Sequence, residues 1–369
     1  MTLSLLSVIL IFIAATQLIY TSYFFSHFSF CLSQKKSETL LDENCPPVTV
    51  VLCFKNEAEN LASHLPLLFE QDYPHKSYVL VNDHSSDQSV EVVTALLQKY
   101  PDISARLIHL ENRHGKKAAL KMGVHEAENN LILVTDADGQ PSGNNWIKSM
   151  AACQHSENAD VVLGYGPLIT GPSLVSKLAQ AETIMTAMNY FSFACRNLAY
   201  MGVGRNMLFK KSIFLEADND MKGKHLVSGD DDLFINALSN KKITFCLKPE
   251  SFIWSRAKAT LRNFWKQKTR HISTSFHYKP IHQFWLMIYA VPMITFWPLV
   301  CCSFYFDKNI SLLIILIIIK YGLQYVMQHK AISIFSRNNF TLFYPVWEMI
   351  LGFYYTVMAV SMMFRRNQW

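Results

Sequence analysis

The sequence predicts an α/β domain with a mostly parallel sheet, placed between apolar segments long enough to cross a membrane. Between residues 46 and about 256, short apolar runs alternate with helical patterns. This alternation is typical of βαβ units, whose parallel strands are buried on both faces. The two ends of the chain, in contrast, are strongly apolar and almost free of charge.

The first segment, residues 1–32, is predicted to be a membrane anchor. Leu3 to Phe25 is uncharged, and the first 32 residues contain no Asp, Glu, Lys or Arg. A cleaved signal peptide is the alternative, but the apolar run is too long, no basic residue precedes it and no small-residue cleavage site is evident. Because Lys35 and Lys36 follow directly, the positive-inside rule predicts that the middle of the chain is cytoplasmic.

Residues 281–369 contain three further apolar stretches, at 284–306, 310–327 and 342–364. Each is long enough for about 30 Å of hydrocarbon. Glu348, inside the last stretch, is expected to face protein or water rather than lipid. If all three stretches cross, Arg365 and Arg366 lie outside, so either one stretch does not cross or the positive-inside rule is broken here. We therefore expect an integral protein of a bacterial inner membrane or an equivalent membrane.

Composition limits the partners that the chain is expected to have. The 34 basic and 28 acidic residues give a modest net charge of +6. That charge suits an anionic membrane surface or a nucleotide substrate, and it is too small to indicate nucleic acid. The eight cysteines show no metal-ligand spacing, so we expect reduced thiols, as in a cytosolic domain.

The predicted strands of the central domain end at polar residues. The strands are predicted at 48–54, 78–82, 106–110, 131–135 and 160–163, and the helices at 56–71, 87–99, 116–127 and 144–155. Four of the strands are followed by Lys55 to Glu57, Asp83 to Asp87, Asn112 to Lys117, and Asp136 to Asp138. Singly, Asp87 could cap a helix and Lys116 could lie in a solvated first turn. Together, they predict a ligand site at one edge of the sheet.

The pair Asp136 and Asp138 is the strongest sign of chemistry at that edge. Carboxylate oxygens suit Mg²⁺ or Mn²⁺, and a diphosphate bound to the same ion would have its charge neutralised as a leaving group. The sequence therefore predicts Asp136 and Asp138 as metal ligands, with Mg²⁺ or Mn²⁺ as the cofactor.

These motifs, in this order, resemble those of the inverting GT-A glycosyltransferases of family 2, which include ceramide glucosyltransferase and the cellulose and hyaluronan synthases. The resemblance covers roughly residues 46–272. It implies a GT-A fold, and it places the donor nucleotide sugar against the strand ends. The implied donor-binding residues of this half are Lys55, Glu57, Asp83, Lys116 and Asp136.

Further motifs of the same family follow downstream. Gly202 to Asn206 resembles the segment that lines the acceptor side, and Gln267 to His271 resembles Gln-x-x-Arg-Trp with His271 in place of the Trp. Gln267 and Arg270 are thereby implied in donor binding. Ser228 to Ile235 resembles the Glu-Asp motif that carries the catalytic base. Alignment with the ceramide enzymes favours Asp232 as the base, with Asp231 as the preceding acid, whereas the synthase pattern favours Asp231 as the base. The family has two acids in this motif and this chain has a third, Asp230, so the register of the alignment stays open.

The sequence thus predicts an inverting transfer of a sugar from a nucleotide-sugar donor, expected to be a UDP-sugar, to a lipid or lipid-linked glycan. The amphipathic segment 257–280 lies between the domain at 46–256 and the membrane, which is why the acceptor is expected there. The alternatives are a processive polysaccharide synthase, in which a homo-oligomer would supply more membrane helices, a nucleotidyltransferase, and a non-catalytic membrane scaffold with the same fold.

Overall fold

A computed structural model of the chain describes residues 4–35, 42–111, 115–220, 229–306, 310–336 and 340–364. The helices are α1 (Leu5–Tyr20), α2 (His27–Gln34), α3 (Ala58–Phe69), α4 (Ser89–Lys99), α5 (Lys116–Glu126), α6 (Trp146–Glu157), α7 (Leu174–Cys195), α8 (Lys211–Asp220), α9 (Asp230–Ala237), α10 (Leu261–Ser275), α11 (Pro280–Phe306), α12 (Ile310–Phe335) and α13 (Phe340–Phe364). The strands are β1 (Val48–Phe54), β2 (Lys76–Asn82), β3 (Ala105–His109), β4 (Leu131–Asp136), β5 (Gln140–Pro141), β6 (Val161–Gly164), β7 (Leu168–Ile169), β8 (Met207–Lys210), β9 (Ile243–Cys246) and β10 (Ile253–Arg256).

Seven of these strands form one sheet, in the order β3-β2-β1-β4-β8-β6-β9. β8 is antiparallel to both of its neighbours, and the remaining pairs are parallel. The prediction of a mostly parallel α/β sheet is therefore confirmed. β5, β10 and β7 form a second, small sheet beside it.

Side chains on the two faces of the large sheet enter two separate apolar clusters. In β4, Leu131 and Leu133 belong to one cluster, and Ile132 and Val134 belong to the other. This alternation follows from the period of two along a strand. Because helices cover both faces of the sheet, β4 is apolar from Leu131 to Val134. Its last residue, Asp136, lies at the edge of the sheet.

Helix α7 joins the domain to the membrane-side helices. Its Phe191 ring stacks on Phe335 of α12 with the ring centroids 5.6 Å apart, and on Phe28 of α2 at 6.1 Å. Phe28 and Phe335 also stack on each other at 6.1 Å. Because three elements meet in one aromatic contact, the membrane helices share the core of the α/β domain.

Among the described residues, three helical stretches are long and apolar enough to cross a membrane: Leu5–Gln34, Pro280–Phe306 and Ile310–Phe335. The first runs through α1, a π-helical segment and α2. The 25-residue helix α13 packs against α11 and α12. The basic residues Lys36, Arg365 and Arg366 lie outside the described residues, so the orientation derived from them remains a prediction.

Glu348 of α13 faces protein, as the sequence predicted, and is 1% exposed. Its carboxylate accepts a hydrogen bond from Gln17 of α1 and lies 3.3 Å from the ammonium of Lys320 of α12. A charged residue among apolar helices thus finds partners on two other helices instead of facing lipid.

Candidate active site

A cavity of about 640 Å³ lies where β4, α9 and α10 meet, and we call it the donor cavity. Seven of the residues predicted from the sequence line it: Lys116, Asp136, Asp138, Asp231, Asp232, Gln267 and Arg270. The acids from distant parts of the chain therefore share one cavity. Lys55, Glu57 and Asp83 are not among its lining residues within the described part of the chain.

The loop after β4 turns sharply and places both of its acids at the cavity. The Gly139 amide donates to the Asp136 carbonyl over 2.9 Å. A Cβ on Gly139 would lie 2.7 Å from the Thr135 hydroxyl and 2.9 Å from the Asp136 carbonyl oxygen. Only glycine fits this close turn, so the sequence Asp136-Ala137-Asp138-Gly139 fixes where the two carboxylates lie.

Lys116 forms an ion pair with Asp136, with Nζ and Oδ1 2.6 Å apart. It stands in the first turn of α5, directly after Gly115, whose φ of +101° favours glycine. The buried Asp83 carboxylate accepts a hydrogen bond of 3.0 Å from the Gly115 amide. Asp83 therefore fixes the loop that presents Lys116. The preceding residues 112–114, part of the predicted strand-end motif, lie outside the described residues.

The loop after β1 is held mainly by structural contacts. Asp87 accepts hydrogen bonds from the amides of Ala58 and Ser89 at 3.2 and 3.0 Å, so it caps both α3 and α4. These bonds, led by the one from the Ser89 hydroxyl, hold the pKa of Asp87 below its ordinary value. Glu57 accepts from the Asn60 amide at 2.6 Å, and Lys55 is exposed. The capping alternative for Asp87 is thus the observed one.

The two acids after β4 suit a divalent ion that is shared with a substrate. The Asp138 carboxylate lines the cavity and makes no hydrogen bond or ion pair with the described residues. No group of three His, Cys, Asp or Glu side chains within the described ranges could hold a metal without help. Two carboxylates with oxygens from a diphosphate and water are the ligand type that Mg²⁺ and Mn²⁺ prefer. Asp136 and Asp138 therefore fit such an ion only together with the donor.

Asp231 and Asp232, in the first turn of α9, have different surroundings. Asp231 is partly exposed to the cavity, and its carboxylate accepts from the Gly204 amide at 2.8 Å and from the Asp232 amide at 3.0 Å. Asp232 is buried and accepts from the Tyr278 phenol at 2.8 Å. Burial and the adjacent Asp232 raise the pKa of Tyr278, so the phenol remains a donor. The side chain of Asp230, the third acid, lies outside the described residues.

Helix α10 forms the basic wall of the donor cavity. It contributes Lys266, Gln267, Lys268, Arg270 and His271, and the adjoining chain adds Arg256 and Lys258. Desolvation and the charge of Lys268 lower the pKa of His271 to about 3. The imidazole is therefore neutral near pH 7, and Lys268 and Arg270 are the cations of this motif.

A buried ion pair that the sequence analysis missed joins α10 to α7. Lys268 contacts Glu182, whose carboxylate also accepts from the Tyr355 phenol of α13 at 2.9 Å. Burial raises the pKa of Glu182, but Lys268 and the hydrogen bonds outweigh it, and the net pKa lies below the ordinary value of 4.5. No sequence signal could have revealed the pair, because its members lie 86 residues apart.

The Gly202 to Asn206 segment separates into lining and supporting residues. Gly202, Val203, Gly204 and Arg205 line the cavity, and Arg205 also donates to the Gly166 carbonyl. Asn206 is fully buried and bonds the Tyr165 carbonyl at 2.8 Å and the Trp146 indole at 3.0 Å. Asn206 therefore supports the wall from behind, and its four predecessors face the cavity.

Comparison with known proteins agrees with this architecture. Residues 49–216 match the model of the family described as "Glycosyl transferase family 2". A poly-beta-1,6-N-acetyl-D-glucosamine synthase of Staphylococcus epidermidis is 23% identical over 80% of this chain and 71% of its own length. The corresponding synthase of Staphylococcus aureus strain COL is 24% identical over 64% of this chain and 56% of its own length.

The same fold occurs in a solved structure, that of a mannosyltransferase from Pyrobaculum calidifontis in complex with GDP-Man and Mn²⁺. It covers 98% of this chain and 100% of its own, with a TM-score of 0.60 and 16% sequence identity. The family match, the named synthases and this fold lead to one conclusion. The chain is a glycosyltransferase that carries a family 2 domain on a GT-A fold and has helices able to cross a membrane.

Proposed function

We propose that the protein transfers a sugar, with inversion, from a nucleotide-sugar donor to a hydroxyl group of a lipid or lipid-linked glycan at the cytoplasmic face of a membrane. The donor is expected to be a UDP-sugar. The observation that carries this proposal is the donor cavity, where Asp136 and Asp138 face the same space as Asp231 and Asp232. Inverting transfer needs a base and a stabilised leaving group on opposite sides of one anomeric carbon.

Asp231 is the residue that we assign as the base. Two backbone amides hold its carboxylate in place, and its partial exposure leaves oxygen lone pairs directed to the cavity. It would take the proton of the acceptor hydroxyl as that oxygen attacks. Asp232 is buried against Tyr278 and serves in this assignment as a positioning residue, although it also borders the cavity.

The leaving nucleoside diphosphate is assigned to the opposite side of the cavity. Asp136 and Asp138 would hold Mg²⁺ or Mn²⁺ there, and the bound ion supplies charge neutralisation for the departing diphosphate. Lys116 and Arg270 add positive charge, and Gln267 adds an amide donor beside Arg270. The assignment of Lys55, Glu57 and Asp83 to donor binding rests on the family resemblance, because none of the three is among the described residues that line the cavity.

A processive polysaccharide synthase is the second candidate. It is favoured by the similarity to the two staphylococcal proteins, which are named as poly-beta-1,6-N-acetyl-D-glucosamine synthases. The lengths of the products made from labelled donor separate the candidates. Addition of one sugar to a lipid supports the first, whereas a ladder or a high polymer supports the second.

The test of the proposal is a panel of labelled nucleotide sugars, incubated with membranes that contain the protein and Mn²⁺ or Mg²⁺. We expect transfer from one UDP-sugar, abolished by chelation of the metal. UDP with Mn²⁺ should also raise the melting temperature of the purified protein, and Asp138→Asn should remove that effect. If neither transfer nor nucleotide stabilisation occurs, the fold serves as a scaffold, and if pyrophosphate is released from a nucleoside triphosphate, the protein is a nucleotidyltransferase.

A further inference from the structure

A second cavity, of about 730 Å³, lies between α7, α10, α11 and α13, and we call it the apolar cavity. Its volume is in the range of ligand pockets. Most of its walls come from apolar and aromatic side chains, including Met185, Leu286, Tyr289, Met293, Leu351 and Ala359. The fold thus has a large hydrophobic space on the membrane side of its donor cavity.

The main polar groups around this space are already bonded within the protein. The Tyr278 phenol donates to Asp232, and the Tyr355 phenol donates to Glu182. The Asn189 side chain accepts from Tyr20 at 2.6 Å and donates to the Met185 carbonyl at 2.9 Å. A sugar polymer in this space would lose hydration from its hydroxyl groups and find few replacement partners, which is unfavourable. A hydrocarbon chain would gain from burial.

The apolar cavity adjoins the donor cavity. Glu182, Thr186, Met201, Asp232, Lys268 and His271 border both spaces. The boundary therefore contains the Glu182 and Lys268 ion pair and one face of Asp232. Asp232, which borders both cavities, is adjacent in the chain to Asp231, the proposed base in the donor cavity.

Two residues at the rim connect this space with the outside of the helices. Phe276, at the end of α10, is 69% exposed, and Ala359 of the membrane-side helix α13 is exposed as well. An apolar ring on an amphipathic helix is suited to the boundary between headgroups and acyl chains. A chain that enters between α10 and α13 would start from the bilayer.

We propose that the apolar cavity is the binding site for a hydrocarbon chain of the acceptor. This proposal rests on the proposed function and refines it, because it makes the acceptor an amphiphile. The chain lies among the side chains of α7, α11 and α13, and the polar end projects past Asp232 into the donor cavity. A glycan without a hydrocarbon chain has no corresponding contact in the apolar cavity.

Photolabelling tests the site without any need for donor or turnover. The probe is a phosphatidylglycerol vesicle whose lipid carries a diazirine at the end of a palmitoyl chain. Peptides that contain Met185 and Met293 should be labelled. Ala290→Phe, which fills the cavity from α11, should lower that labelling about fivefold, because a packed space no longer admits the chain. Val291→Phe, at the neighbouring exposed position outside the cavity lining, should leave it unchanged.

A second variant keeps the test decisive if Ala290→Phe does not fold. Ala359→Phe narrows the same cavity from α13, and the melting temperature of each purified variant without ligand reports whether it remains folded. Labelling confined to outward-facing residues, or equal labelling in folded Ala290→Phe and wild-type protein, would overturn the proposal. A transfer assay adds a separate readout: Ala290→Phe should lower the use of hexadecyl glucoside but not of butyl glucoside. Absence of transfer in every sample would contradict the proposed function and leave the labelling result to decide about the cavity.

Discussion

The Tyr278 phenol donates a hydrogen bond of 2.8 Å to Oδ2 of Asp232, a residue 46 positions earlier in the chain. The Asp231 carboxylate is held instead by the backbone amides of Gly204 and Asp232. Two adjacent acids of one helical turn thus face different environments, one buried and one open to the donor cavity. The roles that we propose for the two acids rest on this difference.

Asp231→Asn should lower transfer about 10²- to 10⁴-fold, because the amide cannot take the acceptor proton. The melting temperature and the stabilisation by UDP should stay close to those of the wild type. Asp232→Asn should retain more turnover and lose more stability, since a buried hydrogen-bonded group is altered. Rates and melting curves of the two variants provide the check, and full loss in Asp232→Asn with near-normal rates in Asp231→Asn would reverse the assignment.

Gly204→Ala should reduce turnover by about tenfold or more, because it disturbs the support of Asp231. The added Cβ would lie 3.0 Å from Asp231 Oδ2, closer than ordinary packing allows. Gly171→Ala is the matched control, since a Cβ there meets no atom within 4 Å. Initial rates at saturating donor measure the effect, and equal rates in the two variants would argue against a role for the Gly204 contact.

The half of the site that contains Asp136, Asp138 and Lys116 could be predicted from the sequence, because these residues follow predicted strands. The carboxyl ends of parallel strands lie at one edge of a sheet. Asp136, Asp138 and Lys116 are found together for that reason. The strands β8 and β9 escaped prediction; both are short, and β8 runs antiparallel to its neighbours, outside the βαβ alternation that predicted the equally short β6. The contacts of Glu182 with Lys268 and Tyr355 likewise depend on how α7, α10 and α13 pack, which no local pattern encodes.

Lys116→Gln should raise the KM for the donor about tenfold and lower kcat as well, because Lys116 lies 2.6 Å from Asp136 at the proposed diphosphate site. Loss of the cation removes positive charge that matters most as the diphosphate departs. Lys99→Gln on α4, outside the donor cavity lining, is the matched control. Steady-state kinetics in varied donor should show normal constants for the control, and unchanged constants for Lys116→Gln would contradict its assignment.

Glu182→Gln should destabilise the protein by about 3 kcal/mol or more near pH 7, because Lys268 would remain buried without its partner. The folded pKa of Glu182 lies below its ordinary 4.5, so its contribution to the free energy of unfolding is fully present above that pH. It is lost as the pH falls through the lower folded value. The gap between wild type and variant should therefore narrow in acid.

Melting temperatures in detergent, measured from neutral pH down to acid, test this pH dependence. Glu216→Gln is the control, because its pair with Lys241 is at the surface and Glu216 is 62% exposed. Such pairs contribute about 0 to 1 kcal/mol, so this variant should follow the wild type at every pH. A constant gap between wild type and Glu182→Gln across the range would contradict the role given to the buried pair.

We expect the ion pair between Lys320 and Glu348 to determine how α1, α12 and α13 pack together, rather than to add net stability to the fold. Both side chains are almost fully buried, and Gln17 of α1 adds a third helix to the contact. Lys320→Met alone leaves a buried carboxylate and should lower stability by about 3 kcal/mol or more. The double variant Lys320→Met, Glu348→Leu removes both charges and should be more stable than either single variant. Unfolding of the four proteins in detergent measures this coupling, and additive losses in the double variant would show that the two residues act independently.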